Sequence, residues 1–177
     1  MNIEQKHRAM LEEAQRRGHS GVGELRLCFE LLALTAAIDR DCAARLAPHQ
    51  LSEGRFVLLF LLRGKPDGLS PHELAERAGV TRATITGLLD GLERDGFLTR
   101  HHATDDRRKI TVRLTERGET TAAALFRQHA EWIDSLFSDL STDESRLLST
   151  LLDRIWQKTD AATRQEHSLP PTKRTIT

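Results

Sequence analysis

Cysteine is scarce in this sequence: Cys28 and Cys42 are its only two thiols. Two cysteines so placed give neither a disulfide framework nor the paired spacing of a zinc finger. Long apolar runs are missing as well. Phe56 to Leu62 is apolar but far shorter than a membrane span needs, and the first residues lack the apolar stretch of a signal peptide. The expectation is a soluble cytoplasmic protein. Net charge is also missing, because 26 basic and 26 acidic side chains cancel. A general polycation is therefore excluded, and any attraction for an anionic partner has to be local.

A local excess is present. From Arg77 to Arg117 there are nine basic residues (Arg77, Arg82, Arg94, Arg100, Arg107, Arg108, Lys109, Arg113 and Arg117) against six acids, an excess of +3. His101 and His102 stand beside them. The rest of the chain is correspondingly acidic, which suits one anion-binding face on an otherwise balanced protein.

The pattern of apolar residues is mostly helical. Met1 to Gly18 is polar and helix-permissive, and the glycine-containing run 18–23 breaks it, leaving its docking open. Leu25, Cys28, Leu31, Leu32, Thr35, Ile38, Cys42 and Leu46 then recur at helical spacing until Pro48. Ser52 can cap a helix that is apolar nearly all round and belongs in a core. Ser70-Pro71-His72-Glu73 joins an N-cap, a proline at the first helical position and a capping-box glutamate. The short helix it opens, Pro71 to Ala78, ends at Gly79. Thr81 caps the next, Arg82 to Asp95, with Ile85, Leu88, Leu89 and Leu92 on one face and Gly96 at its end. Phe97–His101 and Ile110–Leu114 suit strands, joined by the charged loop 102–109. Two helices across a glycine turn, followed by a charged hairpin, form a winged helix-turn-helix in a mainly α protein. Thr115 caps a further long helix. Ser141-Thr142-Asp143-Glu144 opens a last one, and a polar tail with two prolines reads as disordered.

The stretch Leu69 to Gly118 resembles the MarR family of bacterial transcriptional regulators. The matching text is Glu73-Leu74-Ala75-Glu76-Arg77-Ala78-Gly79-Val80, then Thr81-Arg82-Ala83-Thr84-Ile85-Thr86-Gly87-Leu88-Leu89-Asp90-Gly91-Leu92-Glu93. Asp95-Gly96-Phe97-Leu98, the wing Asp106-Arg107-Arg108-Lys109 and the exit Leu114-Thr115-Glu116-Arg117-Gly118 follow at the expected distances. With the flanking helices the resemblance spans roughly residues 25 to 160. It implies an extension over 1–23, a dimerisation helix over 24–50 and a DNA-binding domain over 51–115. Dimerisation helices over 116–160 and the tail, 161–177, complete the chain.

The implied partners are double-stranded DNA, a second copy of the chain and a small effector, often an aromatic or phenolic anion, that releases the DNA. The sequence supports the dimer on its own account. Leu147, Leu148, Leu151, Leu152, Ile155 and Trp156 make a broader apolar face than packing on one neighbour requires. For DNA, the periodicity turns Ala83, Thr84, Thr86, Gly87 and Asp90 outward when Ile85 faces the core. Arg82, Thr84 and Thr86 are the candidate contacts to bases or phosphates. The helix N-termini at Ser70 and Thr81 offer backbone N–H groups to phosphate. By carry-over from the family's D-x-R wing, Arg108 enters the minor groove and Asp106 braces it, with Arg107 and Lys109 on phosphates. Some relatives carry an arginine where Gly87 stands here, which weakens direct base readout. Asp90 is expected to pair with Arg94 one turn on.

Rival readings are weaker. Cys28 and Cys42 each read as a small buried hydrophobe. Fourteen residues of helix hold them about 21 Å apart, so an oxidation switch would use either alone and not a bridge between them. His129 has Ile133, not a second histidine, one turn on, so no metal or cofactor is expected. His101, His102, Asp105 and Asp106 can be drawn as a metal cluster, but they sit in a charged hairpin without an apolar pocket, and no enzyme is expected. A winged helix that binds protein instead of DNA would not need Arg107, Arg108 and Lys109.

Overall fold

The computed structural model describes residues 3–102 and 110–161. Contacts divide the chain into two units, one up to residue 127 and one from residue 128. In the first, α1 (Gln5–Arg16) and α2 (Val22–Leu46) form a helical pair, closed by a one-turn 3-10 helix at Ala47–His49. The polar N-terminal stretch thus has a defined docking place. Ile3 and Leu11 pack against Phe29 of α2 with Val22 and Leu25 beside them, and the His7 ring stacks on Phe29 at 4.3 Å.

Phe29 is the residue of this part of α2 that is most fully buried, and it was not in the apolar stripe read from spacing. Cys28, which was in it, is exposed and not buried as expected; Cys42 is half-buried against the main core. The reason is the same for both. The α1 helix fixes which side of α2 is covered, and a helical stripe alone does not say where the covering element lies.

The main core is built where α3 (Glu53–Leu62), α4 (Pro71–Ala78) and α5 (Arg82–Arg94) converge on a two-stranded hairpin. Leu58, Leu59, Leu62, Leu74, Ile85, Leu89, Leu92, Leu98 and Val112 are all at most 2% exposed. Each such side chain contributes about 1.5–3 kcal/mol by burial, so this cluster outweighs any single polar contact on the domain. Ala122 and Leu125 of α6 (Glu116–Leu136) complete it.

The hairpin pairs β1 (Leu98–His102) with β2 (Ile110–Leu114) antiparallel, in the register Leu98↔Leu114, Arg100↔Val112 and His102↔Ile110. Leu69 joins the far edge of β2 as a single bridging residue, exchanging both backbone hydrogen bonds with Val112 at 2.8 and 3.1 Å. Glycine is required where β1 and α6 meet. The Thr115 N–H reaches the Phe97 carbonyl at 3.0 Å, and any Cβ on Gly118 would overlap that same carbonyl oxygen.

In the second unit the end of α6 leads to α7 (Thr142–Trp156). A full capping box, Ser141 with Glu144, starts α7.

Candidate nucleic-acid interface

The helix-turn-helix is assembled from local chemistry. Ser70 Oγ accepts the Glu73 N–H at 3.2 Å, and Glu73 Oε2 accepts the Ser70 N–H at 2.8 Å and the Ser70 hydroxyl at 2.7 Å. These bonds to Ser70, the backbone N–H first, hold the Glu73 carboxyl below the usual glutamate range. At the other end of α4, Gly79 takes φ +65°, which an L side chain resists, and the Val80 N–H closes back on the Ala75 carbonyl at 3.1 Å. Thr81 then starts α5, its hydroxyl accepting the Thr84 N–H at 3.2 Å and lying 2.9 Å from the Thr84 hydroxyl.

Ile85, Leu89 and Leu92 face the core, so Arg82, Ala83, Thr84, Thr86, Gly87 and Asp90 are exposed. The Thr86 hydroxyl donates to the Arg82 carbonyl at 2.9 Å and keeps its lone pairs for an incoming donor. An open groove of ≈ 410 Å³ runs where the end of α3 and the turn after it meet the end of β2 and the start of α6, lined by Lys65, Arg113, Glu116 and Glu119 among others. A larger one of ≈ 610 Å³ separates α5 from β2, with Ser70, Pro71, His72, Arg82, Ile85, Thr86, Ile110 and Thr111 along it. The structure thus brings Ser70, Arg82 and Thr86 to one groove, with Thr81 and Thr84 at the adjacent end of α5. Asp106, Arg107, Arg108 and Lys109 lie outside the described residues, in the segment between His102 and Ile110, which pair across the hairpin.

Asp90 does not pair with Arg94. Its Oδ1 lies 2.7 Å from Arg100 Nη1 on β1, and the same nitrogen lies 3.1 Å from Glu93 Oε2. Arg94 turns to Asp95 at 3.5 Å. The side chain of Arg100 is only 23% exposed against 75% for Arg94, so the less solvated guanidinium takes the carboxylates.

Two other basic residues of the local excess are also committed internally. Arg113 Nε donates to the Asp67 carbonyl at 3.3 Å. Arg117 donates to the Asp95 carbonyl at 2.9 Å and lies over the Phe97 ring at 4.5 Å. Outside that stretch, Arg55 of α3 holds Asp95 at 3.0 Å and lies across Gly91. The end of α5 is therefore clamped by arginines from α3 and α6. The signal for Arg100 was in the strand alternation, which puts it on the same face as Leu98; the Arg55 and Arg117 contacts had none.

Leu147, Leu148, Leu151, Leu152, Ile155 and Trp156 of α7 are all exposed, as are Leu136, Phe137 and Leu140 before it. Among the described residues no group of three or more histidines, cysteines or acids could hold a metal ion. No helix in them is long and apolar enough to cross a membrane.

A capped helix-turn-helix with a hairpin beside the second helix defines a winged helix-turn-helix protein. Residues 51–110 match the MarR family profile. The chain is 35% identical to the HTH-type transcriptional repressor YetL of Bacillus subtilis (strain 168) over 86% of its own length and 92% of that protein. It is 30% identical to the HTH-type transcriptional regulator PecS of Dickeya dadantii (strain 3937), covering 71% and 76%. On these similarities the chain belongs to the MarR family of transcriptional regulators. The fold is also that of Streptococcus pneumoniae FabT solved in complex with DNA, with a TM-score of 0.64 at 21% identity over 75% of this chain and 94% of that one.

Proposed function

We propose that the chain is a homodimeric transcriptional repressor that binds a near-palindromic operator and releases it when a small aromatic or phenolic anion binds. The observation that carries this reading is the outward face of α5. Arg82, Thr84 and Thr86 are exposed on a helix whose opposite side is locked into the core and whose far end is clamped by Arg55 and Arg117. Such a helix can enter a major groove without reorganising, with the wing arginines Arg107 and Arg108 beside it in the minor groove or on phosphate. The repressor name of the YetL relative and the DNA complex of the FabT structure support the same reading. The second copy is supported by the exposed apolar face of α7; two α5 helices about 34 Å apart would meet successive major grooves.

The effector reading draws support from an exposed pair of rings. Phe60 of α3 and Phe126 of α6 stack at 4.8 Å, and the Arg63 guanidinium lies 5.8 Å from the Phe126 centroid. Rings with a cation beside them suit an aromatic anion. A thiol-oxidation switch at Cys42 is less favoured: burial, with Glu53 and Asp39 adding to it, pushes the Cys42 thiol up, away from the reactive thiolate.

The test is titration of the purified protein against duplexes from its own upstream region at several salt concentrations. Binding with two chains per site, weakening by about 0.9 in the log–log slope for each phosphate engaged, is expected. Arg108→Ala should lose affinity most at sites with A·T-rich flanks. Equal loss at all flanks, or none, would remove the minor-groove role from Arg108.

A further inference from the structure

The wing is joined to α5 by a fork at Arg100 that the DNA-contact reading does not use. On β1, Leu98 and Arg100 share the face that turns to the core; Leu98 is 1% exposed, and Val112, opposite Arg100, is 0% exposed. Arg100 stands where this face leaves the core. One guanidinium nitrogen reaches both Asp90 at 2.7 Å and Glu93 at 3.1 Å.

The backbone is held at the same point. Val112 spends both its N–H and its carbonyl on Leu69, so Arg100↔Val112 is a non-hydrogen-bonded pair and the Arg100 N–H points to the open edge of β1. Glu93 Oε1 accepts that N–H at 3.1 Å. A single carboxylate on α5 therefore satisfies the edge donor of the wing strand and, through its other oxygen, the side chain of the same residue.

We propose that Arg100 is a positioning residue that sets the angle between the wing and α5, and that Asp90 and Glu93 are on α5 to hold it. This rests on the DNA-binding reading. Two carboxylates on a helix that approaches phosphates are otherwise an electrostatic handicap, and with the Asp90 and Glu93 side chains 58% and 39% exposed their ion pairs add little to stability. What they fix is direction. The strand continues two residues past Arg100 at about 3.3 Å each, so a tilt at the fork grows toward the segment that carries Arg107 and Arg108.

The experiment compares the full-length wild type with Asp90→Asn/Glu93→Gln, Arg100→Ala and the triple variant. Each binds a duplex that the wild type selects from a random pool and a scrambled duplex of equal length. Removing two negative charges should tighten binding to the scrambled duplex or leave it unchanged. The ratio of selected to scrambled affinity should fall about tenfold, with the three variants losing alike because they break one unit. In parallel, hydrogen exchange at the β1 amides should quicken about tenfold in every variant, while the Leu89 amide of α5 keeps its rate.

If the double variant binds the selected duplex more tightly with its selectivity intact, or if β1 exchange is unchanged, Arg100 is not a positioning residue. If the wild type selects no duplex at all, the DNA reading has failed, and the exchange measurement still decides whether the fork holds the wing.

Discussion

Thr115 and Gly118 show how two residues of a short motif depend on a third that lies elsewhere. The Thr115 hydroxyl donates to the Gly96 carbonyl at 2.8 Å and accepts the Gly118 N–H at 3.0 Å, so it ends the wing and starts α6 at once. Gly118 is held to glycine by the Phe97 carbonyl, which leaves no room for a Cβ. Gly87, on the exposed side of α5, has nothing within 4 Å of where its Cβ would be. The two glycines should therefore respond in opposite directions. Gly118→Ala is expected to destabilise by about 1–3 kcal/mol, the usual cost of overfilling a packed contact. Gly87→Ala should stabilise by about 0.5–1 kcal/mol through lower backbone entropy in the unfolded chain. Urea midpoints of the two variants check both. The motif was legible in the sequence, whereas its reason was not, because Phe97 lies 21 positions before Gly118 and only the fold brings them together.

At the scale of elements, what was local was readable. Ser70 with Glu73 and Ser141 with Glu144 form the capping boxes their spacing announced. Both carboxyls lie below the ordinary glutamate value, Glu73 chiefly through the Ser70 backbone N–H and Glu144 chiefly through the Ser141 hydroxyl. The sign follows from the direction. A carboxyl whose pKa is lowered by folding adds stability that is present at neutral pH and is lost as pH falls through its folded value. Glu73→Gln/Glu144→Gln should accordingly flatten the loss of thermal stability between about pH 5 and pH 3, while near pH 7 its melting temperature falls below that of the wild type. A melting-temperature series over pH tests this; a parallel offset at every pH would place the acid sensitivity elsewhere. What crosses between elements was not readable. The i, i+4 rule offers Arg94 to Asp90, and it has no knowledge of a strand arginine arriving from the side. The same holds for α1. Its sequence is polar apart from a few positions, and its place on α2 depends on Ile3, Leu11 and Phe29 meeting.

For the whole molecule, the question is what an exposed apolar helix is for. Leu147, Leu151 and Ile155 fall on one side of α7 at helical spacing and are 59%, 41% and 52% exposed, with Leu148, Leu152 and Trp156 exposed next to them. A patch of this kind marks an interaction surface, and the occupant proposed here is a second copy. Leu151→Asp/Ile155→Asp separates the two uses an apolar side chain can have. If these residues served the internal core, two buried charges would unfold the chain. Because they are exposed, the variant should keep its helical content and instead sediment at 20.0 kDa, where the wild type is expected at twice that mass. DNA affinity should fall with it by about 10²–10⁴, since a second half-site engaged through a dimer acts as an intramolecular partner at high effective concentration. A wild type that sediments as a monomer would remove the dimer from the proposal. A variant that stays dimeric would move the interface off this face of α7. A monomeric variant with undiminished affinity would mean that one copy, with its α5 and its wing arginines, is enough to read its site.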